Sequence, residues 1–154
     1  MKFVYLALLV ILPLAVLQGE EKACIREIES TFFNPFFVSQ ALSLHDVSQS
    51  TWSQVNLELQ KKIPSLHPLV LEKAAKMQPN PLKTPFQPHE AAQVVEEALY
   101  EVFASVLAEF NIQNAYEIRE MFNYIREQQN SRFVDCFGPQ ENKFVDKSVQ
   151  KNKP

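Results

Sequence analysis

The chain has 154 residues, 46% of them apolar, and a formal net charge of −3. That length bounds it to one ordinary domain with a real core, and a mildly acidic protein lacks the positive footprint that phosphate backbones require, so no nucleic-acid partner is expected. Only 2 glycines stand against 10 prolines; sandwiches and barrels need many tight turns with positive φ, so this balance points to an all-α fold of long helices joined by proline-shaped loops.

At the start of the chain Lys2 precedes an apolar run over residues 3–16, followed by Leu17-Gln18-Gly19. A positive start, a short apolar core and a small residue before a polar stretch read as a secretory signal over residues 1–19. Pro13 interrupts the run, which is shorter than the roughly 17–25 apolar residues of a membrane span, so cleavage and secretion are expected, with no membrane insertion afterwards. Removing the signal leaves about 135 residues, enough for one helical domain over residues 20–137 and a flexible C-terminal tail over residues 138–154. The only cysteines, Cys24 and Cys136, fall near the two ends of that domain. In an exported chain they are expected to form one disulfide. Closing a loop of roughly 110 residues stabilises a fold by about 4–5 kcal/mol in the chain-entropy model.

The first predicted helix covers residues 20–31, with Cys24, Ile25 and Ile28 at helical spacing. Phe32-Phe33-Asn34-Pro35-Phe36-Phe37 then interrupts it, because Pro35 pushes Asn34 out of the α region. Four phenylalanines around a proline read as a buried connection that plugs the core; an exposed sticky patch for a partner is the alternative. Residues 46–63 form the next predicted helix, capped by Asp46 or Ser48, with an apolar stripe of Trp52, Val55, Leu59 and Ile63. Pro64 is expected to end it. A shorter helix over residues 65–77 follows, with Leu66, Val70, Ala74 and Met77 on one side and Pro68 in its first turn.

Residues 78–88 carry Pro79, Pro81, Pro85 and Pro88 and read as a semi-rigid extended connection. The strongest helical segment comes next. Thr84 and Gln87 are spaced as a capping box with Pro85 at the first helical position; alternatively the helix begins nearer His89. Ala91, Val94, Val95, Ala98, Leu99, Val102, Phe103, Val106, Leu107 and Phe110 trace its wide apolar face, and Glu90, Glu96, Glu97, Glu101 and Glu109 mark the other side. This is the expected central helix of the core. A last helix is predicted over residues 114–133, opened by the capping pair Asn114 and Glu117, with Ile118, Met121, Phe122, Ile125 and Gln129 on one face. Cys136 is expected just past its end, and Gly138-Pro139 stops it.

The residues offer little to a catalyst. His45, His67 and His89 lie on three different segments with no HExxH or CxxC spacing, and are expected to be surface or cap histidines rather than metal ligands. The two thiols are expected to consume each other, which leaves no nucleophilic cysteine. No GxSxG, P-loop or dinucleotide fingerprint occurs. Glu96, Glu97 and Glu101 are expected on a solvated helix face. No enzyme activity and no cofactor are therefore expected. Surface recognition remains, or an apolar interior that holds a ligand. Phe103, Phe110, Phe122 and Phe133 can line such a cavity, but at helical spacing they more often fill one.

The layout of the second half resembles a known family. A cysteine near the mature start is followed by a long connection, then by HEAAQVVEEALYEVFASVL over residues 89–107 and YEIREMFNYIREQQNSRFVDC over residues 116–136. Together these resemble the front two-thirds of a type I interferon. The resemblance runs from Cys24 to Cys136 and is better after Pro88. It implies an up-down, cytokine-like bundle of about four to five helices, a conserved bridge matched by Cys24 and Cys136, and a glutamine near the last turn of the fourth helix, as at Gln128 and Gln129. The family's Cys-Ala-Trp run near its C-terminus is absent here. The resemblance further implies a secreted cytokine that binds a cell-surface receptor in antiviral defence. The alternative is a secreted helical carrier of a lipid or other apolar ligand.

Overall fold

The computed structural model describes residues 20–77 and 87–139. The expected signal over residues 1–19, Thr84 with most of the proline-rich connection, and the expected tail beyond Pro139 lie outside the described residues. What is described is all-helical: α1 (Glu20–Thr31), α2 (Pro35–Leu44), α3 (Gln49–Met77), α4 (Pro88–Glu109), α5 (Ala115–Gln128) and α6 (Asn130–Phe137). These six helices replace the expected four to five, through one addition, one fusion and one split.

The addition is α2. Asn34 is indeed held out of the α region, at φ −58° and ψ 123°, but as the cap of a new helix: its side chain accepts a hydrogen bond from the Phe36 amide at 2.9 Å, and Pro35 occupies the first helical position. The four phenylalanines therefore divide. Phe32 and Phe33 are buried, Phe37 is half-buried and Phe36 is 63% exposed. The plug expected from all four is made by the first two.

The fusion is α3, a single helix of 29 residues with Pro64 and Pro68 inside it. Pro64 does not end it. A proline in a helix interior removes an amide donor and costs about 3 kcal/mol. Pro64, Pro68 and Gln60 are all exposed, so the carbonyls left without a donor lie on the watery side and can be hydrated. The opposite side carries Val55, Leu59, Leu66, Val70 and Ala74, a continuous buried stripe that passes both prolines. Tertiary packing of that stripe outweighs the local penalty.

The split falls at Gln129, between α5 and α6. Gln129 is buried, and its side-chain amide donates to the Thr31 carbonyl at 3.2 Å. That carbonyl belongs to the last turn of α1, where helical acceptors lack intrahelical donors. Satisfying it draws Gln129 out of regular helix, to φ −102° and ψ 8°. In consequence Cys136 lies within α6 rather than past a helix end. Gly138 stops α6 as expected, but at φ +79° and ψ 180°, an extended positive-φ conformation open to glycine rather than the expected left-handed helical one, and its amide reaches the Val134 carbonyl at 2.7 Å.

Two turns show why so little glycine suffices. Val47 N donates to Leu42 O and Asp46 N to Ser43 O, with Asp46 at φ 60°; Ile112 N donates to Leu107 O and Asn111 N to Ala108 O, with Asn111 at φ 62°. Both are Schellman closures in which Asp and Asn take the left-handed position usually given to glycine. Asp46 thus finishes α2 rather than opening α3. Ser48 caps α3 instead, its hydroxyl 3.4 Å from the Thr51 amide. Asn114 caps α5 as expected, accepting from the Glu117 amide. Gln87 precedes α4 without a side-chain cap bond and Pro88 begins the helix, the later of the two expected starts.

The helices α3 and α4 form the most extensive pair, and α2 packs on both α3 and α5. The buried face of α4 is the expected one from Ala91 to Leu107, with Phe110 half-buried at its end. Aromatic rings fill the centre: Phe32 lies 5.2 Å from Phe33 and 5.3 Å from Phe122, and Phe33 stacks on Phe103 at 6.0 Å.

Candidate functional site

The cysteines define the closure of the bundle. Cys24 of α1 and Cys136 of α6 form a disulfide, with Cα atoms 5.6 Å apart and a sequence separation of 112. Further along the same pair of helices Arg132 reaches Glu27 at 3.0 Å, and Gln129 reaches Thr31. The first and last described helices therefore run antiparallel, tied by sulfur at one end and by an amide at the other.

A cleft of about 460 Å³ opens where the corner between α1 and α2 faces the break between α5 and α6. Its position follows from the local chemistry: Asn34 and Pro35 turn the chain on one side, and Gln129 interrupts it on the other. Ser30, Thr31 and Ser131 supply hydroxyls, while Asn34, Gln60, Gln128 and Gln129 supply amides. Arg132 is the charged residue of the lining, and Phe33 and Phe37 contribute rings. Several of these groups are already oriented. Gln60 donates to the Phe33 carbonyl at 3.0 Å, and Arg132 Nη1 donates to Thr31 Oγ1 at 3.1 Å.

The histidines separate. His45 caps the end of α2 and sits 3.6 Å from Glu120 of α5. His89 is exposed in the first turn of α4. His67 departs from the surface-or-cap expectation: its Nδ1 lies 2.8 Å from Glu29 Oε1, with side chains only 13% and 5% exposed. The carboxylates separate too. Glu97 and Glu101 are on the exposed face of α4, and Glu101 pairs with Lys73. Glu96 does not share that face. It is half-buried against the buried Arg126 of α5, Oε1 to Nε at 2.6 Å. Among the described residues no group of three or more His, Cys, Asp or Glu is arranged to hold a metal ion.

Sequence reasoning missed the cleft and both inter-helix pairs, each of which sets a buried side chain against a half-buried one. The pairs left a trace. Glu29 follows Ile25 by four, His67 follows Ile63 by four and Arg126 follows Phe122 by four, so each polar residue stands beside an apolar stripe rather than opposite it. The cleft left none, since it depends on two chain breaks 98 positions apart in sequence, joined by the Gln129–Thr31 hydrogen bond.

No described helix is long and apolar enough to cross a membrane. Fold and closure define the class: an all-helical protein tied by one disulfide. Comparison with protein-family models, with curated proteins and with solved structures finds no match.

Proposed function

We propose that this protein is a secreted helical cytokine, of the type I interferon kind, that acts by binding a cell-surface receptor and carries out no catalytic step. The observation that carries this reading is the Cys24–Cys136 bridge, which ties α1 to α6 at the positions that the interferon resemblance assigns to a conserved bridge. Such a bond is favoured in the oxidising extracellular compartment. The interior supports recognition by the outer surface over ligand carriage. Phe103, Phe122 and Phe133 are fully buried and meet other rings at 5–6 Å, so they occupy the space an apolar ligand would take.

The test is to add purified, disulfide-intact protein to interferon-responsive cells. Saturable surface binding followed by induced antiviral gene transcription is the expected outcome. Absence of both, with helical content intact by circular dichroism, contradicts the reading. A native mass spectrum carrying a bound lipid would move it to a carrier.

A further inference from the structure

The chemistry of the cleft selects its ligand. An apolar molecule would strip water from Gln128 and Ser131 at the rim without replacing the lost hydrogen bonds. A metal ion finds no carboxylate, imidazole or thiolate in the lining. A multiply charged phosphate meets a single cation, and Arg132 already shares its charge with Glu27. The remaining class is hydroxyl-rich and carries at most one negative charge. Amide side chains both donate and accept, as a ring of sugar hydroxyls requires, and the half-buried Phe37 ring gives the apolar face of a sugar a surface to lie on.

The guanidinium sharpens the choice. Glu27 and Thr31 both engage Nη1 of Arg132, so its other nitrogens have no hydrogen-bond partner among the described residues. Arg132 is 42% exposed. A carboxylate can take those nitrogens. The volume, about 460 Å³, falls within the usual range of small-molecule sites, about 300–1,000 Å³. We infer that the cleft between the α1–α2 corner and the α5–α6 break binds an acidic sugar, a hydroxyl-rich ring bearing one carboxylate of the kind that terminates cell-surface glycans. This site stands independently of receptor binding and antiviral signalling.

The experiment is ligand-observed NMR titration of the full, disulfide-intact protein with three probes: sialyllactose, lactose and acetate. Sialyllactose is expected to bind saturably, with lactose weaker by about tenfold for want of the charge-assisted contact, and with acetate below detection. Arg132→Gln is expected to weaken sialyllactose binding by about the same factor. Ser131→Trp, which places a bulky ring at the exposed rim, is expected to abolish binding while thermal unfolding remains that of the parent. Equal binding of lactose and sialyllactose overturns the role of the carboxylate, and binding of acetate as strong as that of the sugar reduces the site to an anion contact. Failure of sialyllactose to bind at millimolar concentration, or unchanged binding to the folded Ser131→Trp variant, overturns the site itself.

Discussion

Arg126 and Glu96 join α5 to α4 through a bond of 2.6 Å between Nε and Oε1, with only 4% and 14% of their side chains exposed. Arg126 also donates to Asn130 and lies 3.7 Å over the Phe133 ring, so one guanidinium links α4, α5 and α6. Such a pair need not stabilise more than apolar residues of the same volume, but losing one partner strands the other charge. Glu96→Ala is therefore expected to destabilise the fold by about 3–5 kcal/mol. The joint replacement Glu96→Leu with Arg126→Met is expected to recover most of that loss. Urea unfolding midpoints of the two variants give the comparison.

The Glu29–His67 pair joins α1 to α3 in the same manner, at 2.8 Å. His67→Ala leaves a buried carboxylate without its partner, at an expected cost of about 2–4 kcal/mol. Glu29→Gln keeps a side chain that can bond the imidazole and is expected to cost about 1 kcal/mol. Equal losses in the two variants would assign the effect to packing volume instead of polar pairing.

Pro64 is tolerated in α3 rather than required by it. Pro64→Ala restores a donor for the Gln60 carbonyl at an exposed position, and is expected to stabilise the protein by about 1–3 kcal/mol after the greater entropy of the unfolded chain is counted. A lower melting temperature for this variant would mean that the proline supplies a bend the packing needs.

Asn111, at φ 62°, closes α4 in the left-handed region. Asn111→Ala is expected to cost about 1 kcal/mol, while Asn111→Gly should fall within about 0.5 kcal/mol of the parent. Thermal unfolding of the two variants separates backbone strain from loss of the asparagine side chain.

Much of the fold was legible because helical periodicity and burial agree. The face of α4 from Ala91 to Leu107, the caps Asn114 and Gly138, and the stripe from Val55 to Ala74 all follow from spacing. The errors share one cause: a local breaker was weighed without its tertiary setting. Pro64 was expected to stop α3, yet the stripe runs on from Ile63 to Leu66 to Val70 in steps of three and four, and that continuity wins over one lost hydrogen bond. Asn34-Pro35 reads from sequence as part of a buried connection that interrupts the first helix, yet the same two residues make a cap and a first turn. The break at Gln129 had no local signal, because the group that causes it, the Thr31 carbonyl, belongs to another helix. The cleft inherits that dependence.

Peptide mapping of the purified protein under non-reducing conditions tests the closure of α1 on α6 most directly. A single linked peptide pair containing Cys24 and Cys136, no free thiol, and loss of about 4–5 kcal/mol of stability in the Cys24→Ser/Cys136→Ser variant are the expected results. Two free sulfhydryls in the intact product, or a double variant as stable as the parent, would contradict it.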